Sequence, residues 1–469
     1  MIRLKKMQVS RVKKYKHSSE KIIINHGIVL TMDSQKKIIT DGAVVIEGNK
    51  IIDVGDSKIA KKYKKDVVLD AEGKVIMPGL INAHSHSGLL RGMGDDLPLY
   101  EWLKTYVHPE YRVSKPEDAY AAALLNYCES IKAGTTCILD MHNFMDKCAD
   151  AAAKVGIRAV LAPYVSDQIG YLPKFDENKK LFKDRHKSEG GRINIWCGLH
   201  NFRDCSPELL VEAKEFATKS NTGIHTHCNE SINDVKLARK IYGKNPIEHL
   251  FDYGIAGPNV LLAHCVWLSK REEYILEKTG TKVVHCPVAN MKLADGVSPV
   301  SRIRQRITVA LGTDGTKEAN SFDMFRVMKT AALLHRVNEL DVQAMSADTV
   351  LDMALNGGAK ALGLEKEIGS IEVGKKADLI IVNIKNLHQT PLLLGKVSNL
   401  TSHLVYATLG SDVETVIVDG NVVMKERKIL NLNEMDVIEL ATRRAENLLE
   451  RLESAEEDHE SPDYISIIK

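Results

Sequence analysis

The chain has 469 residues, 44% hydrophobic and 27% charged, with 64 Lys and Arg against 62 Asp and Glu. That length exceeds one ordinary domain and predicts a large domain with a smaller companion, and a net charge of +2 gives no electrostatic case for nucleic acid. No run reaches the length of a membrane span, no apolar signal core opens the chain, and the eight cysteines between Cys128 and Cys286 contain no CxxC pair, so they read as thiols of a reducing, cytoplasmic compartment.

Residues 1–20 are rich in Lys and Arg and read as a flexible, solvated tail. From Lys21 to about Val75 short β-like runs follow one another: Ile22–Ile24, Gly27–Leu30, Gly42–Ile46 and Ile51–Gly55, separated by turns such as Glu47-Gly48-Asn49-Lys50. The same texture returns at Ala377–Val382 and Val413–Val423, the latter split by Asp419-Gly420-Asn421. These runs predict one small β-sandwich domain built from both chain ends, over residues 21–76 and 366–430. Between them strands and helices alternate. The strands are expected at Leu80–His86, Thr135–Met141, Arg158–Tyr164, Ile193–Leu199, Thr222–His227, Val260–His264, Lys282–His285 and Thr308–Gly312. Helices are expected at Pro116–Lys132, Pro207–Lys219 and Lys270–Thr279. Eight such strands predict a (β/α)8 TIM-like barrel over residues 77–365; a doubly wound open sheet is disfavoured because no Gly-rich phosphate loop follows any strand. Residues 431–469 predict an amphipathic helix, from Asn433 to about Ser454, and a tail on the outside of the barrel.

Side chains at the C-terminal ends of barrel strands meet in one place. The first strand ends in His84-Ser85-His86, two histidines facing the same way on a strand, as a metal grip requires. The fifth carries His225-Thr226-His227-Cys228-Asn229-Glu230 and the sixth Ala263-His264-Cys265. Val284-His285-Cys286 ends the seventh and Leu311-Gly312-Thr313-Asp314-Gly315 the eighth. One buried histidine is ordinarily a packed core residue, but five polar strand ends in register are not five coincidences. Imidazole plus carboxylate suits zinc or another divalent first-row metal.

Pro78-Gly79-Leu80-Ile81-Asn82-Ala83-His84-Ser85-His86, His227-x-x-Glu230, Ala263-His264-Cys265 and Leu311-Gly312-Thr313-Asp314-Gly315 together resemble the amidohydrolase superfamily. More narrowly they are similar to its branch of methylthioadenosine/S-adenosylhomocysteine deaminases and triazine hydrolases. Leu89 to Leu97, Glu101-Trp102-Leu103, Cys205 to Leu210 and Gly374 to Leu379 match that branch too, and the likeness runs from about Lys21 to Val423.

The resemblance implies one divalent metal, zinc with iron as the alternative, held by His84, His86, His227 and Asp314. It assigns catalysis to Glu230, His264 and Asp314: Glu230 carries a proton to the substrate's ring nitrogen, His264 hydrogen-bonds the attacking water, and Asp314 takes its proton. His225 shares a strand face with His227 and is a rival ligand, which the His-x-x-Glu spacing turns into a packing residue. No lysine stands in Gly190–His200, where two-metal members carry a bridging one, so a single ion is expected. Trp102, His200 and Glu230 are the expected substrate contacts. The implied activity is hydrolytic release of ammonia from a nitrogen heterocycle such as a purine, a pyrimidine or a related nucleoside. The alternatives are hydrolysis of a cyclic amide or a triazine C–Cl or C–N bond, and methylthioadenosine/S-adenosylhomocysteine deamination proper. Retention of every ligand and of Glu230 argues against a non-catalytic relative.

The substrate wall departs from that branch. The glutamate that clamps ribose after Trp-Leu arrives one place early as Glu110, with Tyr111 at the matching position, and Leu161–Asp167 lacks the arginine that binds an amino-acid carboxylate. A small neutral heterocycle, packed by Trp102 and His200, is therefore expected over S-adenosylhomocysteine, with no nucleic-acid or membrane partner and self-association into a homo-oligomer.

Overall fold

The computed structural model describes residues 21–64, 66–455 and 464–468; the expected basic tail lies outside the described residues. Five strands open the chain: β1 (Lys21–Leu30), β2 (Ile38–Glu47), β3 (Lys50–Asp56), β4 (Val67–Asp70) and β5 (Lys74–Pro78). The two runs expected at Ile22–Ile24 and Gly27–Leu30 are one strand, bent at His26, whose φ of 61° marks the register shift against β2. Glu47 pairs with Lys50 across the Gly48-Asn49 turn, as its composition predicts.

Eight parallel strand positions follow. They are β6 (Leu80–Ser85), β7 (Thr135–His142), β8 (Arg158–Pro163), β9 (Ile193–Ile195) continued by β10 (Cys197–Asn201), β11 (Ile224–Cys228), β12 (Val260–His264), β13 (Lys282–His285) and β14 (Val309–Leu311). They form two parallel sheets, β6-β7-β8-β9 and β10-β11-β12-β13-β14. The single strand expected at Ile193–Leu199 breaks at Trp196: its first half pairs with β8 and its second with β11. The Trp196 indole lies against Gly223, where a Cβ would come within 2.3 Å of it. Trp196 N–H still donates to Leu161 O at 3.0 Å, so the sheets stay joined across the break.

The other seam lies between β14 and β6. Asn82 bridges it, its amide donating to Thr313 Oγ1 (2.7 Å) and its Oδ1 accepting from Thr313 N–H (3.0 Å). Asp314 N–H donates to His84 O at 3.1 Å. Gly312 permits the approach, since a Cβ there would stand 2.9 Å from His84 O.

After the helices, β15 (Leu379–Asn383), β16 (Val413–Val418), β17 (Asn421–Lys425) and β18 (Lys428–Ile429) return to the opening strands. All nine make one mixed sheet in the order β18-β17-β16-β15-β5-β1-β2-β3, with β4 on β1. One apolar cluster drawn from seven of them, including Ile24, Val44, Ile51, Leu69, Ile76, Ile381 and Ile417, is its core. Arg158 at the start of β8 ties this sheet to the parallel strands. Buried, its guanidinium donates to both Asp378 oxygens (2.8 and 2.9 Å) and to Asp419 (3.2 Å).

The expected C-terminal helix spans Glu434–Glu453 and packs Val437, Ala441 and Leu448 inward, while Arg444 and Arg451 grip Asp118 on the helix Pro116–Lys132. No described helix is long and apolar enough to cross a membrane. All eight cysteines are free and buried.

Candidate metal centre

Three imidazoles are fixed by the partner of one ring nitrogen. His86 Nδ1 lies 2.6 Å from Met141 O and His227 Nδ1 2.6 Å from His200 O; a carbonyl only accepts, so both Nδ1 atoms carry the proton. His225 Nδ1 donates likewise to Leu261 O (3.0 Å), which leaves His225 Nε2 an acceptor for His84 Nδ1–H at 2.8 Å. In consequence the Nε2 atoms of His84, His86 and His227 all present lone pairs.

Those lone pairs converge. His86 Nε2 and His227 Nε2 are 3.0 Å apart, a repulsive contact unless a cation lies between them. His84 Nε2 is buried with no hydrogen-bond partner. Asp314 Oδ1 stands 3.5 Å from His84 Nε2 and 3.4 Å from His86 Nε2, closing the set with a carboxylate. Burial and the neighbouring imidazoles push His84 and His227 well below the usual histidine range, which keeps them neutral. Neutral imidazoles around an orphaned nitrogen, facing a carboxylate, fit a divalent cation.

His264 has the opposite tautomer. Asn290 Nδ2–H, itself 3.4 Å from Asp295 Oδ2, donates to His264 Nδ1 at 3.1 Å, so the proton sits on Nε2. That Nε2–H faces Glu230 Oε1 at 3.7 Å and Asp314 Oδ2 at 4.0 Å. It is placed to donate, whereas the other three rings are placed to ligate. The backbone is strained around it: φ is 72° at His264, 48° at Cys265, 53° at Asn229 and 66° at Asp314, all in the left-handed region.

Glu230 is aimed by Asp234, which accepts from the amides of Glu230 (2.9 Å) and Ser231 (3.1 Å), from Tyr100 Oη (2.7 Å) and from Arg203 Nη1 (2.7 Å). Burial, then the nearby carboxylates of Asp295 and Asp314, push Glu230 well above the usual carboxyl range, which favours its protonated form.

All the predicted site residues except His84 line one cavity. Trp102, His200, His86, His227, Glu230, His264 and Asp314 line it, together with Tyr164, Asn201, Arg203 and Glu318; His84 lies beneath. His200 Nδ1–H donates to Asp204 Oδ2 at 2.6 Å, fixing its ring edge. Arg203 is part of the wall. The space is about 30 Å³, and Leu99, Trp102 and Leu103 form part of its wall.

Sequence reading misses three features. His225, expected as packing, is buried and also accepts from His84 Nδ1–H. Asn290, four residues after Cys286, orients His264. Glu318 lies four residues beyond Asp314 in a turn with no periodic signal.

The sequence profile of the amidohydrolase family matches residues 75–423. The chain belongs to the amidohydrolase family. Among its relatives, the 5'-deoxyadenosine deaminase of Methanosarcina mazei is 41% identical over 440 residues, 92% of this chain and 99% of that one. The 5-methylthioadenosine/S-adenosylhomocysteine deaminase of Thermoanaerobacter pseudethanolicus is 38% identical over 436 residues, 92% of this amidohydrolase and all of the relative. The crystal structure of a zinc-bound adenosine deaminase from Xanthomonas campestris superposes with a TM-score of 0.86 at 28% identity, covering 92% of this chain and 99% of that one.

Proposed function

We propose that this amidohydrolase is a hydrolytic deaminase of adenosine-type nucleosides, with one divalent ion, zinc, held by His84, His86, His227 and Asp314. The observation that carries the reading is that the Nε2 atoms of His84 and His86 meet Asp314 while His227 Nε2 meets that of His86, beside a histidine of opposite tautomer and a buried Glu230. The names of its relatives supply the substrate class. In the same reading the two parallel sheets close as a (β/α)8 barrel over residues 77–365. The nine-stranded sheet is a small β-sandwich of residues 21–76 and 366–430, and residues 431–469 form the outer helix and tail. The enzyme is cytoplasmic and self-associates, with a small molecule as its partner rather than nucleic acid or a membrane.

A bound divalent ion supplies Lewis acidity that makes water a nucleophile near neutral pH. Asp314 Oδ2, turned toward His264, accepts the proton that the water gives up. Glu230 delivers its proton to the ring nitrogen next to the carbon under attack, so the charge of the broken aromatic system never accumulates there. His264 Nε2–H donates to the incoming oxygen, and Asn290 keeps that proton in place. Glu230, now a carboxylate, takes the proton of the newly attached hydroxyl and passes it to the amine: the C–O bond becomes a carbonyl, the C–N bond breaks, ammonia leaves, and the proton held by Asp314 returns to Glu230. Trp102, Tyr164 and His200 wall the ring and keep other water out.

Ammonia release from 5'-deoxyadenosine, adenosine, methylthioadenosine, S-adenosylhomocysteine and free bases, with chloride release from chlorotriazines, tests the reading. Turnover of adenosine-type nucleosides is expected. Metal-loaded enzyme that releases ammonia from none of them, or that acts only on the triazine C–Cl bond, would overturn it.

A further inference from the structure

Glu318 has no part in that chemistry. Its turn follows Asp314, with Ala319 N–H donating to Gly315 O at 2.9 Å, and its side chain folds back onto Gly315, where a Cβ would stand 2.1 Å from Glu318 Oε2. The residue is 7% exposed and lines the cavity together with Tyr164 and Trp102. Glu318 Oε2 is buried and accepts no hydrogen bond from any described residue.

The adjacent cation is committed elsewhere. Lys317 Nζ pairs with Glu110, with the rings of Tyr111 and Trp102 at 5.7 and 5.9 Å. Glu110, the other buried carboxyl beside Trp102, thus has its partner already, while Glu318 has none. A buried carboxyl oxygen left without a donor is costly, and a donor supplied from outside the chain relieves that cost.

We propose that Glu318 is a specificity-determining residue that accepts a hydrogen bond from a hydroxyl of the substrate's sugar. The inference rests on the nucleoside reading given above. An adenosine-type nucleoside brings two kinds of donor, its exocyclic amine and its sugar hydroxyls. The amine belongs at the reacting carbon, between Glu230 and Asp314, which leaves the hydroxyls to meet Glu318. A free base has none, so Glu318 favours nucleoside over base.

The experiment compares wild type, Glu318→Gln and Glu318→Ala, all metal-loaded, on adenosine, its 2'-deoxy and 3'-deoxy analogues, and adenine. Metal content and thermal melting confirm that each variant is folded and loaded. Both variants are expected to lose tenfold or more in kcat/KM on adenosine, most of it in KM. For at least one deoxy analogue, and for adenine, the loss should be smaller by fivefold or more. Equal loss on all four substrates, or no loss on adenosine, overturns the inference while the deaminase reading stands. Wild-type enzyme inactive on every nucleoside overturns the deaminase reading and the inference with it.

Discussion

His225 offers the sharpest test of how the centre is ordered. Its Nε2 accepts from His84 Nδ1–H at 2.8 Å, and its own Nδ1–H is anchored on Leu261 O. Replacing His225 with Leu keeps a buried apolar volume but leaves His84 Nδ1–H without an acceptor. A buried unsatisfied donor costs about 1–3 kcal/mol, and His84 escapes that cost by rotating or changing tautomer, either of which turns its lone pair away from the ion. At about 1.4 kcal/mol per decade the loss of metal affinity should be about 5- to 150-fold, in the range found when an outer partner of a metal-bound histidine is removed. His225→Gln, whose side-chain oxygen can accept, should recover part of it. Competition against a chromophoric chelator measures the affinity directly, with no need for substrate. Wild-type affinity in His225→Leu would show that the hydrogen bond does not hold the ligand. Affinity as low as in His84→Ala would instead make His225 a ligand itself.

The centre should hold about one divalent ion per chain by elemental analysis, and His84→Ala should lose most of it; two ions per wild-type chain would refute the single-ion assignment. Glu230→Gln should keep its metal while turnover falls by about 10²–10⁴, and normal turnover would reduce Glu230 to a wall residue. His264→Asn should also retain metal, because its tautomer is that of a donor; metal loss there would contradict the tautomer argument. Asp378→Ala leaves the buried Arg158 guanidinium short of its main partner, so stability in urea should drop by about 3–5 kcal/mol with kcat preserved below the new midpoint, and an unchanged midpoint would refute that role.

The strands and the metal-facing residues were readable because they follow simple periods. Val260–His264 and Lys282–His285 appear where the apolar runs place them, and a polar residue ending each run marks the mouth. His84 and His86 share a face for the same reason. What was hidden depends on contacts between distant segments. The break at Trp196 follows from an indole meeting Gly223, 27 residues later, and nothing local announces it. The hydrogen bond by which His225 accepts from His84 is a matter of tautomers, decided by Leu261 O across the sheet. Glu110 looked misplaced for lack of knowledge of Lys317, and nothing local marks Glu318, which only the folded turn brings to the cavity.

The nine-stranded sheet has a consequence for synthesis on the ribosome. β5 pairs on one side with β1 and on the other with β15, and roughly 300 residues of chain separate β5 from β15. At about 5–20 residues per second, the nascent N-terminal strands wait about 15–60 s for that partner. All that time β5 shows an unpaired, apolar edge, Val75-Ile76-Met77, which invites pairing with a neighbouring nascent chain. Slowing elongation between β5 and β15 should therefore lower the soluble yield, while supplying the β15–β18 segment in trans should raise it.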